Sequence, residues 1–411
     1  MSKKIGGVVA LAAMCALSLF LLNCGSSSSR PSGLLYVLTQ AGNGAGNAVS
    51  MFAIDLNSGN LSLINSNAST CATAGACGLP INILLDPTGA TAFVLSQGAI
   101  SSYSVNSDGS FGTPNTAWTV TAGDTALAMA RDAGGNFLYV ITAGNPGVGP
   151  ELYVFTAKPG STTLTLVNNG AADLGFVLPR VPTALSAISL TSPAEELLFV
   201  ASSKDLSANH NDNTLSVYGI GSDGTVTEKI GSPYPTSTIN PLSVLAVNTN
   251  PPGQGNGGGV FIYVGAAGNA SGAVDAFQVC TLINAVCTSQ SDVDNAKLLP
   301  VGTSPTSTGQ EPVGIVVDPT NKFLYVVCEK SSQVDGFQIN TTTGVLTAPT
   351  NLPSQGSQPV ALAMHSSGKF LYVSNSNSNT IGGFTLSTTT GSMSNPTSVN
   401  SPVGPSGMAA R

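Results

Sequence analysis

The stretch Pro312-Val313-Gly314-Ile315-Val316-Val317-Asp318, followed by Pro319-Thr320-Asn321-Lys322 and then Phe323-Leu324-Tyr325-Val326-Val327-Cys328, decides how this chain folds. Two short runs rich in β-branched and aromatic residues flank a Pro/Asn turn, which is the pattern of two paired strands rather than a helix. A third run, Val334-Asp335-Gly336-Phe337-Gln338-Ile339, leads to the turn at Thr343-Gly344. The same unit recurs along the chain. Its opening proline returns at Pro80, Pro182, Pro241, Pro312, Pro359 and Pro405, followed two residues on by Gly or Ala except at Asn82 and Ser243, with Asp124 in the equivalent place of one copy. The aromatic-Val pair of its second run returns as Tyr36-Val37, Phe93-Val94, Tyr139-Val140, Phe199-Val200, Tyr263-Val264, Tyr325-Val326 and Tyr372-Val373. The third run carries Phe52, Tyr103, Phe155, Tyr218, Phe277, Phe337 and Phe384, and Asp108-Gly109, Asp223-Gly224, Thr343-Gly344 and Thr390-Gly391 turn it into a fourth.

Spacing between the aromatic-Val pairs runs from 46 residues (Phe93 to Tyr139) to 64 (Phe199 to Tyr263). That is the size of a four-stranded propeller blade with loops of varying length. Residues 405–411 form a first strand with nothing after it, and residues 34–37 a second strand with nothing before it. Pairing the two closes the ring and removes an open edge. The expectation is an all-β chain with a single seven-bladed β-propeller over residues 34–411, its last blade shared between the two termini.

Composition agrees. Lys and Arg number 13, Asp and Glu 20, so charged residues make up 8% of the 411 residues, against about 25% in an ordinary soluble domain. Strand surfaces packed blade against blade on both faces accept Val, Ala, Gly, Ser and Thr but not ionised groups. The acidic balance, with no cluster of basic residues, argues against nucleic acid as a partner.

At these residues the chain resembles two related groups, bacterial YVTN-type surface repeats, through Tyr372-Val373-Ser374-Asn375, and the lactonase-like seven-bladed propellers that include 6-phosphogluconolactonases. In a propeller, the loops from second to third strand and from blade to blade share one face around the channel mouth. The former vary in reach from six residues (Val94 to Ile100) to 15 (Val200 to Leu215), as binding loops do. Arg180, Asn240, Glu311 and Gln358 precede inner strands and are the polar candidates to ring that mouth, either for a small molecule, sugar or protein ligand or simply for channel water.

The lactonase-like resemblance implies an Arg-His pair at the start of one inner strand, a Glu after the following second strand and an Arg in another loop. Here the first position reads Gln310-Glu311-Pro312, without Arg or His, and an expected Asn-Arg reads Asn375-Ser376. Glu329 does fall on the family's Glu, which makes it the candidate general base for lactone opening; the alternative is a surface carboxylate beside Lys330. The best reading of function is a binding or interaction module, with lactone hydrolysis as the alternative. Neither needs a cofactor.

At the N-terminus, Lys3 and Lys4 precede an apolar run, Ile5 to Leu22, that stops at Asn23-Cys24 and a Ser-rich segment. The layout is that of an export signal and resembles a bacterial lipoprotein box, which implies cleavage after residue 23 and lipid attachment at Cys24; a retained membrane anchor is the alternative. Residues 24–33 then serve as a tether to the membrane of the cell envelope, and loss of Lys3 and Lys4 takes the formal charge from −7 to −9. An oxidising compartment makes Cys71 with Cys77, and Cys280 with Cys287 across a hairpin, disulfide candidates. Cys328, inside an apolar strand, reads as a buried thiol. No metal site is expected, the weak candidates being Asp205 and Asp212 in the oxygen-rich loop 205–213, which lacks the Gly and Glu of an EF-hand.

Overall fold

The computed structural model describes residues 33–411 apart from 41–45, 74–75, 146, 148, 168–174, 192–193, 206–212, 250–257, 269–270, 282–286, 288 and 303. The expected export signal, Cys24 and nearly all of the expected tether therefore lie outside the described residues, as does most of the candidate calcium loop.

Seven antiparallel sheets carry the fold. We number them as blades from the N-terminus. Blade 1 is the composite one: Pro405–Ala410 is its inner strand, followed outward by Leu34–Thr39, Ala48–Ile54 and Leu61–Ser69. The two termini are joined in register, Tyr36 opposite Ala409 and Val37 opposite Met408. The Arg411 amide donates to the Leu34 carbonyl at 2.8 Å and the Leu34 amide to the Arg411 carbonyl at 3.2 Å. The remaining inner strands are Pro80–Leu85, Ala126–Arg131, Arg180–Thr191, Pro241–Asn248, Pro312–Val317 and Pro359–Met364, and each touches the next until Pro359–Met364 meets Pro405–Ala410. The ring is closed, as its repeats predicted.

Second strands are the most buried elements. Leu34–Thr39, Thr91–Ser96, Phe323–Cys328 and Phe370–Asn375 are buried along their whole length, because both faces of each pack on neighbouring blades. The apolar clusters accordingly straddle blades: Phe323, Tyr325 and Val327 of blade 6 pack with Leu362, Leu371, Val373 and Phe384 of blade 7. This explains the scarcity of charge, since blades meet through apolar side chains that exclude water.

The aromatic of the second strand also carries a hydrogen bond between blades. Tyr36 donates its hydroxyl to the Gly109 carbonyl of blade 2 at 2.7 Å, Tyr263 to Gly344 of blade 6 at 3.0 Å, Tyr325 to Gly391 of blade 7 at 2.7 Å, and Tyr372 to Gly59 of blade 1 at 2.9 Å. Each acceptor is the turn glycine between third and outer strands, held at positive φ, where a Cβ would be strained. These glycines therefore let the turn approach the neighbouring tyrosine closely; at Gly391 an added Cβ would fall within 2.2 Å of the Phe323 ring.

Blades 3, 4 and 5 are less regular. Their outer strands are split into short pieces, as in Thr165–Leu166 with Phe176–Val177, and the inner hairpin of blade 4 is lengthened to Arg180–Thr191 and Ala194–Asp205. Disulfides join Cys71 to Cys77 and Cys280 to Cys287. The turn closed by the second pair lies outside the described residues; beyond Cys287 the chain forms a short helix, Gln290–Asp294, before the outer strand Leu298–Pro300. Ser289 caps that helix by accepting the Asp292 amide, a capping signal the strand periodicity hid.

Candidate functional site

Each inner strand of six residues spans about 20 Å, so its two ends define two separate faces. On one, first-to-second-strand turns are tied by strand-end acids. Asp318 accepts the Phe323 and Lys322 amides, each at 2.7 Å, and Asp86 accepts Thr91 at 2.9 Å. His365 occupies the same place in blade 7. Its Nδ1 is 2.8 Å from the Ser367 hydroxyl, and burial lowers its pKa, so it is held neutral as a turn ligand.

The mouth face is built by a different device. Asn240, Glu311, Gln358 and Gly404 each precede the proline of an inner strand and adopt left-handed backbone, with φ of 59°, 57°, 56° and 60°. This turns each carbonyl toward the residue that follows the second strand. Ala267, Glu329, Ser376 and Gln40 donate their amides to these four carbonyls at 2.8–3.0 Å. Gly and Asn accept such backbone readily, whereas for Glu or Gln it costs about 1–2 kcal/mol.

Those two costly residues lie at neighbouring blades, and each side chain reaches the 329–330 turn. Gln358 donates its side-chain amide to Glu329 Oε1 at 2.9 Å, and Lys330 Nζ lies 3.7 Å from Glu311 Oε1. Lys330 and Glu311 are 64% and 40% exposed, too wet for their ion pair to add much stability. Beneath them is Asp335, buried in the third strand of blade 6. It accepts the Gly309 amide and the Gln333 side-chain amide, both at 2.7 Å, and so fixes the loop that delivers Glu311. Cys328 points its thiol at the same carboxylate, 3.4 Å away; burial and that charge push the thiol well above its ordinary range, and it stays protonated. Beside Gln358, Ser357, Ser378 and Asn377 continue the polar surface, with the Ser357 amide donating to the Ser378 hydroxyl at 3.1 Å.

Of the residues singled out in the sequence, the structure thus brings Glu311, Glu329 and Gln358 together. Asn240 stands one blade away, exposed, its amide donating to Asn213 Oδ1 at 2.7 Å. Arg180 is placed differently from the other three. Val181, not Arg180, precedes Pro182, and bulges on both sides of Pro182 shift the register. The guanidinium instead reaches across its own blade to Glu228 Oε1 at 3.3 Å and Ser216 Oγ at 3.4 Å. Asp335 was not singled out in the sequence, and Lys330 entered only as the neighbour of Glu329. Asp335 did leave a signal: an Asp inside an apolar strand at the same step in consecutive blades, Val274-Asp275-Ala276-Phe277 and Val334-Asp335-Gly336-Phe337. Asp275, likewise buried, accepts the Thr238 amide at 3.1 Å.

The sequence pattern of the family described as "Lactonase, 7-bladed beta-propeller" matches residues 259–353, from the second strand of blade 5 to the outer strand of blade 6. No curated protein sequence matches the chain. Among solved structures, the periplasmic gluconolactonase of Pseudomonas aeruginosa is similar in fold, with a TM-score of 0.65 at 15% identity, over 92% of this chain and 99% of that one. A protein from Lactobacillus plantarum gives a TM-score of 0.64 at 15% identity over the same shares. A candidate 6-phosphogluconolactonase from Bacteroides uniformis gives 0.60 at 14%, again covering 92% and 99%. Seven blades closed by the two termini make the chain a seven-bladed β-propeller in fold, and over residues 259–353 it resembles the lactonase family of such propellers.

Proposed function

We propose that the protein is an exported, lipid-anchored binding module of the bacterial envelope that takes a polar ligand at the mouth between blades 6 and 7. One observation carries this reading: Glu311 and Gln358 occupy left-handed positions that Gly404 and Asn240 fill elsewhere, and both side chains meet charged partners at the mouth. Strain retained at such positions favours a role for the side chain over one for the backbone. Carboxylate, amide, ammonium and hydroxyl groups within one patch suit a hydroxylated or zwitterionic ligand through directional hydrogen bonds.

Lactone hydrolysis is the second reading, favoured by Glu329 at the family's Glu position and by the names of two structures of similar fold. In that chemistry Glu329 would take a proton from water while Lys330 or the Gln358 amide faced the developing oxyanion. The experiment is a panel of sugars and sugar lactones, assayed by calorimetry and by lactone opening on the mature chain and on Glu329→Gln. We expect binding without turnover, weakened in the variant. Turnover abolished by Glu329→Gln would establish the hydrolase reading in its place, and neither binding nor turnover would refute both.

A further inference from the structure

We infer that the anchored propeller stands with its mouth turned away from the membrane, the opposite face being the one that meets lipid. The inference rests on the reading of residues 1–24 as an export signal with a lipidated Cys24. Its structural basis is the place where the chain enters the fold. Gly33 directly precedes Leu34, at the start of the second strand of blade 1, and its carbonyl accepts the Ile54 amide at 3.0 Å. A Cβ on Gly33 would lie 3.1 Å from His365 Nε2 and 3.0 Å from Leu56, which puts the entry point among the first-to-second-strand turns. Glu311, Glu329 and Gln358 lie at the far ends of the same strands, about 20 Å away.

The tether cannot undo this. Residues 24–33 span at most about 33–36 Å when fully extended. A path from Gly33 to the mouth must pass two strand spacings to the blade edge, about 10 Å, and then climb about 20 Å along it. Mouth-down anchoring would use nearly all of that reach along the blade edge, whereas mouth-out anchoring requires little of it.

Both signs of charge are exposed near the entry. Lys322, Lys369 and Arg411 occupy the first-to-second-strand turns of three consecutive blades, and all three are exposed, as are Lys158 on the same face and Leu56 beside Gly33. Asp55, Asp108 and Asp223 of the same face are exposed as well and keep their charge, since the backbone amides they accept favour the ionised carboxylate, so the orientation rests on the entry point and the tether length.

The natural lysines allow a direct test. In the mature chain Cys328 is buried and the four other cysteines after residue 24 are bonded, so a maleimide lipid reacts at Cys24. Amine acetylation of the vesicle-bound chain, read by mass spectrometry against the free chain, should fall several-fold at Lys322 and Lys369 and stay unchanged at Lys330. Protection of Lys330, or equal labelling of all three, would overturn the orientation. Because the lipid is attached chemically, this outcome is independent of whether the cell acylates Cys24. That question is read separately from the mass of the N-terminal peptide of envelope-purified protein.

Discussion

Two arcs of the ring are built from the same repeat and held together differently. From blade 5 through 6, 7 and 1 to blade 2, every seam has a tyrosine hydroxyl bonded to the turn glycine of the next blade. From blade 2 to blade 5 none does so among the described residues. Phe93 and Phe199 have no hydroxyl to offer. Tyr139 has one, but it is buried without a partner, beside a Glu196 whose Oε1 is also buried and unpaired. There the lengthened hairpin of blade 4 changes the turn packing, and Gly224, the expected acceptor, packs against Val167 and Phe137. Apolar packing thus closes a propeller without these latches, and the candidate site with Glu311 and Gln358 lies within the latched arc.

The largest expected effect is at a latched seam. Tyr325→Phe leaves the buried Gly391 carbonyl without its donor and should cost about 1–3 kcal/mol, seen as a lower denaturant midpoint with unchanged slope. The same change at Tyr139 removes an unpaired hydroxyl and should be neutral or stabilising. A loss at Tyr139 equal to that at Tyr325 would erase the distinction between the arcs.

Next comes pH. Burial raises the Glu196 carboxyl to about 7, although the Ser189 hydroxyl bonds it. The folded protein therefore binds a proton more tightly than the unfolded chain, whose Glu titrates near 4.5. Stability from this group is fully present below about pH 4.5 and is lost as pH rises through 7. Glu196→Gln should flatten that slope and raise the melting temperature at pH 8. An unchanged pH profile would remove Glu196 from the account of this seam.

The smallest stability effects are expected at the mouth. Glu311→Gly and Gln358→Gly relieve left-handed strain while adding unfolded-state entropy, terms of about 1 kcal/mol each that oppose one another. Melting should move little, while ligand binding falls.

Much of this was legible before any coordinates. The aromatic-Val pairs, the turn glycines and the orphan strands at the two ends specified blade number and closure, because a buried strand reports its period and its neighbours' needs directly. The latches were half legible. Tyr and Phe alternate at one repeat position, but whether a hydroxyl finds a carbonyl depends on the turn of the next blade, more than 60 residues away at Tyr36, Tyr263, Tyr325 and Tyr372. At the mouth, Asn240, Glu311 and Gln358 could be picked out by the proline that follows each. Arg180 was picked out by the same proximity, and the extra Val181 with its bulges carried its side chain elsewhere. Left-handed backbone leaves no mark when the residue holding it is Glu or Gln, so the feature that distinguishes the site was invisible in the sequence.

The most direct test is to measure ligand binding and melting together on Gln358→Gly and Glu311→Gly, using whichever sugar or lactone binds the mature chain. We expect binding to fall at least tenfold, about 1.4 kcal/mol, with the melting temperature held or raised. Binding kept at full strength, or lost only in step with stability, would contradict a functional site between blades 6 and 7.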